Sequence, residues 1–559
     1  MGAENGDVAA PLDSLLVDAA FGPLRRFNPG MSGLRLGARL ASRPRTVARR
    51  AASTARDLAK VAIGTSAVAP APKDRRFADK AWTDNPVFHR LVQGYLVAGQ
   101  AAEDLVTDAA MGWPDHERLE FVALNLVEAL SPSNNPVLNP VALKTALESG
   151  GSSFVRGAKN FVQDMSVKPR VPSMVDTTAF EVGKNLGVTP GSVVLRTDLF
   201  ELIQYQPQTE TVHGYPMLMV PPTINKYYIA DLAPGRSMVE HFVKSGQQVF
   251  MMTWRNPDRD DAEWGMDTYI KAVLEAMDAV EEICATKKSI LFSLCAGGII
   301  SSMVLGHLLD TGQEHRLAAF ALGVTLLDQS RAGLMSAMMS PELVAAATRK
   351  SRHDGFLDGR ALAEIFAWLR PQDLVWNYWV NNYLLGKQPP AFDVLYWNAD
   401  TTRMTAQLHS DFMHMGLDNA LTHPGMATAL GSPVDLSRTT VDSYVIAGIA
   451  DHICPWTSCY RSVQMIGGHS RFVLSTNGHI AALVNPPGNP KSSFRVADDP
   501  PEDPQELLAT VEKTSGSWWN DFVQWLTAHS GPDIPAPKTL GNSTYKVLAP
   551  APGTYVFAK

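Results

Sequence analysis

From about residue 190 onward, short apolar runs alternate with longer amphipathic stretches. "GSVVLRTDLFELIQY" alternates polar with β-branched residues and predicts a hairpin pair of strands. "YPMLMVPP" is a compact apolar run closed by prolines and predicts a buried strand. "GRSMVEHFVKSG" then reads as helix and "QQVFMMTW" as strand. In "WGMDTYIKAVLEAMDAVEEICA" the apolar residues Ile270, Val273, Leu274 and Met277 recur at helical spacing. "SILFSL" is a strand, "IISSMVLGHLL" a helix and "RLAAFALGVTLLD" a strand. After a lapse the alternation resumes with the strands "VDSYVIAGIAD" and "RFVLSTNGHI", and a helix at "SWWNDFVQWL" lies near the end. Strands that alternate with helices predict a mostly parallel sheet wound by right-handed crossovers.

The first third has a different texture. Residues 1–73 are low in aromatics, include the linker-like "AVAPAPKD", and read as a variable, partly flexible arm. Arg35 to Lys60 is rich in Arg and Ala and poor in acids; it reads first as a solvated helical arm, with a weak transit-peptide mimic or an amphipathic surface helix as alternatives. Residues 74–180 carry helical patterns punctuated by Pro132, Pro136 and Pro140, which break helices, and read as a helical, noncatalytic domain. Residues 181–559 form the α/β domain, with an insertion at about 329–436 where the alternation lapses. Trp368, Trp376, Trp379, Trp397, Tyr378, Tyr383 and Tyr396 crowd into it; they read as the core of a cap, with a few available to line a tunnel.

Composition narrows the class. With 45% hydrophobic and 19% charged residues, the chain is ordinary for a globular enzyme. A net charge of −7 over 559 residues points to no nucleic-acid partner. Four cysteines (Cys284, Cys295, Cys454 and Cys459) are too few for a disulfide scaffold and lack zinc-type paired spacing, so a reduced cytosolic protein without a metal is expected. Cys454 and Cys459 read as structural thiols. Ser289 to Leu309 is nearly charge-free, but its central double glycine fits a strand, turn and helix better than a transmembrane segment.

That strand, turn and helix contain Ser293-Leu294-Cys295-Ala296-Gly297-Gly298. The run resembles the nucleophile elbow of an α/β-hydrolase, G-x-S-x-G, with cysteine in place of the serine and Ser293 in place of the first glycine. A helix N-terminus favours an anion and lowers a thiol's pKa toward the reactive thiolate. The elbow also needs a base and an orienter, in the order nucleophile, acid, histidine. Asp451 and His479 each follow a late strand, at the carboxyl edge where such sites form. His479 would take the proton from Cys295 and Asp451 would hold the imidazole. The backbone N–H of Ala296, with that of Thr223 or Ile224 in "VPPTINKYYIADL", is the candidate oxyanion hole. Asn225 would brace that loop, and His452 would be a neighbouring polar support.

Further stretches carry a wider resemblance: "RRFADKAWTDNPVF", "PPTINKYYIADLAP", "TWRNP", "WNYWVNNYLLG", "FDVLYWNADTTR", "GIADHICPW" and "STNGHIAALVNPPGNP". With an elbow of the form G-x-C-x-G-G, they resemble the polyhydroxyalkanoate synthases from about Asp74 to the end of the chain. "FEVGKNLG", "ELIQY" and "WRNPDRDDAEWG" look most like the class II, Pseudomonas-type members. The resemblance implies an α/β-hydrolase fold with a cap and a helical N-terminal domain, and Cys295, Asp451 and His479 as the triad. It implies medium-chain (R)-3-hydroxyacyl-CoA substrates, CoA as a released product rather than a cofactor, a homodimer, and cytoplasmic residence on granules of the growing polyester. A cysteine thioesterase or lactone hydrolase of the same fold is the rival enzyme; a noncatalytic granule-surface protein is the rival of another class.

Overall fold

The computed structural model describes residues 29–559, except residues 168–169, 331, 334–336 and 338–339 and the side chains of residues 343, 365 and 366. The part of the expected arm before residue 29 lies outside the described residues. The chain divides into two compact units, one containing the described residues up to Asp176 together with Arg360–Ala391, the other Thr177–Gly359 with Phe392–Lys559.

The first unit is helical, with α1 (Gly30–Ala41), α2 (Pro44–Ile63), α3 (Pro86–Asp108), α4 (Trp113–Ala129), α5 (Pro140–Glu148) and α6 (Ser152–Met165). Pro140 starts α5 rather than breaking a helix, because proline at the first turn lacks only an N–H that has no intrahelical acceptor. The Asn139 side chain caps the same turn by accepting from the Val141 and Ala142 N–H groups. Phe77, Trp82 and Val92 form a small buried core. Beside them Arg76 is ion-paired with Asp74 at 2.8 Å and with Glu128 at 2.7 Å.

Residues 30–63 form two helices tied to their neighbours by ion pairs: Arg35 of α1 meets Asp115 at 2.9 Å, and Arg50 of α2 bridges Asp104 and Asp108. The insertion at 329–436 is divided between the two units. Residues 360–391 belong to the helical unit. There the Trp379 indole donates to the Asn134 carbonyl at 3.0 Å, and Asn160 donates to the Asn382 carbonyl at 3.1 Å. Trp376, Trp379, Tyr383 and Phe161 pack edge to face, so these aromatics are core of the helical unit. Gly157 of α6 lies so close to the Tyr383 backbone that a Cβ would sit 1.8 Å from its carbonyl oxygen. Trp397 and Tyr396 belong to the second unit.

The second unit is built on an eleven-stranded sheet. Its strands are β1 (Gly191–Arg196), β2 (Phe200–Tyr205), β3 (Met217–Val220), β4 (Val249–Trp254), β5 (Ser289–Leu294), β6 (Leu317–Gly323), β7 (Ser443–Gly448), β8 (Ser470–Ser475), β9 (Ser493–Asp498), β10 (Thr514–Ser515) and β11 (Ala549–Pro550). The spatial order is β10-β9-β8-β7-β6-β5-β3-β4-β2-β1-β11. The pairs from β4 through β3, β5, β6 and β7 to β8 are all parallel, and antiparallel strands extend both edges. Every residue of β3, β4, β5 and β7 is buried, as expected of parallel strands covered on both faces. The helices α7 (Met266–Ile283), α8 (Ala296–Asp310), α9 (His479–Leu483) and α10 (Trp518–His529) are the ones that bear on the site. In α8 no single face is apolar: ten of its residues are buried. That accounts for the charge-free run as a core helix, and no described helix is long and apolar enough to cross a membrane.

Candidate active site

Three parallel strands deliver three side chains to one edge of the sheet. β5 ends at Leu294, and the next residue, Cys295, has φ 51° and ψ −121°. A side chain rarely occupies this region, at a cost of about 1–3 kcal/mol, and the neighbouring bonds hold it there. The Cys295 N–H donates to the Gly323 carbonyl at the end of β6 at 2.8 Å, and the Cys295 carbonyl accepts from the Gly298 N–H at 2.9 Å and the Thr325 hydroxyl at 3.2 Å. The turn lifts Cys295 off the strand end and starts α8 immediately after it.

The glycines after the cysteine are needed for close approach. A Cβ on Gly297 would lie 2.5 Å from the Pro221 carbonyl oxygen, and one on Gly298 would lie 2.1 Å from Thr325 Oγ1. Ser293 needs no such relief. It is fully buried in β5, its backbone is not in the left-handed region, and its hydroxyl donates to Ser301 of α8 at 2.7 Å. The strained residue of the elbow is Cys295, not Ser293.

Asp451 stands three residues beyond β7 and His479 opens α9, four residues beyond β8. Both are 7% exposed. Asp451 accepts from His479 Nδ1 at 2.7 Å through Oδ2, and from the Ile453 and Cys454 N–H groups at 2.9 and 2.8 Å through Oδ1. Four acceptor directions of one carboxylate are thus divided between fixing the imidazole and shaping its own loop. The far end of α9 is anchored from α10: the Trp518 indole donates to the Ala482 carbonyl at 2.7 Å and the Trp519 indole to the Leu483 carbonyl at 2.9 Å.

A ring nitrogen of His479, the Cys295 sulfur and the Cys454 sulfur lie within 4.8 Å of one another. Cys454, expected to be a structural thiol, is therefore part of the cluster. Its placement follows from the turn that Asp451 imposes on the loop, which only the folded chain brings beside Cys295. The electrostatics assign one negative charge among the neighbours. A hydrogen bond from the Cys454 thiol holds the Cys295 thiol well below its ordinary range against the cost of burial; His479 and the Ala296 N–H add to the effect. The Cys454 thiol, which donates that bond, is pushed up. Burial works against a charged His479, but Asp451 and Cys295 outweigh it and raise the imidazole to about 10. The favoured state is a thiolate on Cys295 beside an imidazolium on His479.

Among the other expected residues, Ala296 directs its N–H at the Cys295 sulfur. Thr223 and Ile224 lie just beyond β3, where the Thr402 hydroxyl donates to the Thr223 carbonyl at 3.1 Å and the Thr402 N–H to the Ile224 carbonyl at 3.1 Å. Asn225 makes a β-bridge with Thr401. These bonds pin the loop whose Pro221 carbonyl abuts Gly297. His452 is half-buried in the loop between Asp451 and Cys454.

Comparison with known proteins agrees with this architecture. Residues 73–242 match the family described as poly-beta-hydroxybutyrate polymerase (PhaC) N-terminus, and residues 212–486 match the alpha/beta hydrolase fold. The chain is 44% identical over 503 residues to poly(3-hydroxyalkanoate) polymerase 2 of Ectopseudomonas oleovorans, covering 90% of both chains. It is 43% identical over 500 residues to polymerase 1 of the same organism, covering 89% of each. It is also 40% identical over 495 residues to the poly(3-hydroxyalkanoate) polymerase subunit PhaC of Cupriavidus necator, covering 87% of this chain and 83% of that one. On the strength of these matches across nearly its whole length, the chain belongs to the poly(3-hydroxyalkanoate) polymerase family.

Proposed function

We propose that this protein polymerises medium-chain (R)-3-hydroxyacyl-CoA thioesters into polyester, with Cys295 as the acyl-carrying nucleophile. The observation that carries the reading is the Cys295, His479 and Asp451 chain at a strained strand-to-helix turn, in a member of this family. The Cys295 thiolate attacks the thioester carbonyl, and the developing oxyanion takes the Ala296 N–H, with Thr223 or Ile224 from the facing loop as the second donor. The carbon–sulfur bond to CoA breaks, and the departing thiolate takes the proton of the His479 imidazolium. His479 is then neutral and accepts the proton of an incoming 3-hydroxyl group. That oxygen attacks the Cys295 thioester, the ester bond forms, and thiolate and imidazolium are restored. Asp451 holds the ring through both transfers.

Sulfur suits this cycle. Exchanging one thioester for another is nearly balanced in energy, so the acyl group stays activated on the enzyme. An ester on a serine would lie lower and lose the drive for the next transfer. Water must be kept from that thioester as strictly as the hydroxyl is admitted. Association with the polyester granule surface in the cytoplasm, and a homodimer, complete the reading.

The test is CoA release by purified protein across a series of 3-hydroxyacyl chain lengths, with the product identified. Insoluble polyester from medium-chain substrates is the expected result. Free 3-hydroxy acid without polymer would replace the reading with a thioesterase. CoA release that survives in Cys295→Ala would remove the cysteine from the mechanism.

A further inference from the structure

The acyl-transfer cycle uses one thiol, yet the site holds two. Cys454 is buried, and its sulfur, the Cys295 sulfur and a His479 ring nitrogen fall within 4.8 Å of one another. A tetrahedral zinc ion with metal–sulfur bonds of about 2.3 Å and metal–nitrogen bonds of about 2.0 Å holds its ligand atoms roughly 3.5–3.8 Å apart. Closing this cluster around such an ion needs shifts of about 1 Å, within the reach of side-chain torsions. The donor set is two sulfurs and one imidazole, which selects soft divalent cations over magnesium or calcium. His479 is already oriented for it. Its Nδ1 is bonded to Asp451 at 2.7 Å, which leaves Nε2 for a metal in the carboxylate–histidine arrangement common behind zinc ligands. Cys295, on its turn, is the half-buried member of the three.

The geometry points to a zinc-binding site formed by Cys295, Cys454 and His479, which takes Zn²⁺ or a similarly soft divalent cation and silences the nucleophile while it is bound. Binding forms three metal bonds, displaces whatever protons the donor atoms carry, and changes no oxidation state. A fourth coordination position stays open. A chelator removes the ion and restores the free site. The binding stands on the positions of the three donor atoms; the inhibition rests on the catalytic reading above.

The experiment uses the full chain, freed of metal by chelator dialysis. Zn²⁺ is titrated against a chromophoric competitor while CoA release is followed in parallel, and Co²⁺ serves as a spectroscopic probe. One Zn²⁺ per chain with a dissociation constant below about 1 μM is expected. The Co²⁺ form should show thiolate charge-transfer absorption of a strength that fits two sulfurs, and CoA release should fall as the site fills and return with chelator. Cys454→Ala should weaken Zn²⁺ binding by about 100-fold or more, and Cys284→Ala should leave it unchanged. Unaltered affinity in Cys454→Ala, a one-thiolate cobalt spectrum in the parent, or no binding below about 100 μM would overturn the metal site. Stoichiometric binding with undiminished CoA release would uphold the metal site and overturn the catalytic reading instead.

Discussion

The Ser293 hydroxyl donates to the Ser301 hydroxyl at 2.7 Å, tying the end of the strand that precedes Cys295 to the helix that follows it. Both residues are fully buried, so the pair satisfies polar groups that water cannot reach. Ser293→Ala removes one partner and leaves the other unsatisfied, at a cost of about 1–3 kcal/mol. Ser293→Ala with Ser301→Ala removes both and should recover part of that loss. Denaturant unfolding of the three variants beside the parent checks this; equal stability of all four would show that the bond carries nothing.

The ion pair at the site has a pH signature. Cys295 is depressed and His479 is raised to about 10, so the thiolate–imidazolium pair persists across the range between them. Alkylation of Cys295 by iodoacetamide should be faster at neutral pH than that of an ordinary thiol and should climb less steeply with pH. CoA release should fall above pH 10 as the imidazolium that protonates the departing thiolate is lost. Burial pushes the Cys284 thiol up to about 12, so it should stay unlabelled. Peptide mapping by mass spectrometry over a pH series reads both. In His479→Ala the Cys295 profile should shift upward toward that of a free thiol; an unmoved profile would detach His479 from the nucleophile. For stability the same shifts act in opposite directions: the His479 contribution is full below its unfolded value and is lost as pH rises through 10, and that of Cys295 is present above its unfolded value and lost as pH falls through its depressed one.

Asp451→Asn keeps the shape of the side chain but removes the charge that faces His479 at 2.7 Å. By analogy with other triads, CoA release should drop on the order of 10³–10⁴-fold. The loop should persist, since the amide oxygen can still accept from the Ile453 and Cys454 N–H groups. Steady-state rates with an unchanged thermal midpoint would meet the expectation; a drop of less than about tenfold would count against Asp451 as the orienter.

Two glycines test packing in the two units separately. Gly298→Ala drives a Cβ toward Thr325 and should cost about 1–3 kcal/mol together with most of the CoA release, because α8 can no longer settle behind the nucleophile. Gly157→Ala drives a Cβ into the Tyr383 carbonyl and should destabilise the helical unit, exposing residues 360–391 to limited proteolysis. A proteolysis pattern identical to the parent's would argue against the packing of that segment on α6.

The alternation of strands and helices from Gly191 onward was legible because each element's period is local: a buried strand and an amphipathic helix both write their spacing into a few consecutive residues. The elbow was legible for the same reason, as was the chain order of Cys295, Asp451 and His479, each just after a strand. Those features the sequence determined by itself. Tertiary structure alone decided the rest. Nothing local in "FAWLRPQDLVWNYWVNNYLLG" tells which elements its aromatics pack against; Phe161 and Asn134, far away in the chain, supply those partners. Nothing local marks Cys454 as a partner of Cys295, because the two sulfurs meet only when β5 and β7 lie two places apart in the sheet and Asp451 turns the intervening loop inward. A residue's secondary structure follows from its neighbours in sequence, whereas its chemistry follows from its neighbours in space, and here one buried thiol gained its neighbours only on folding.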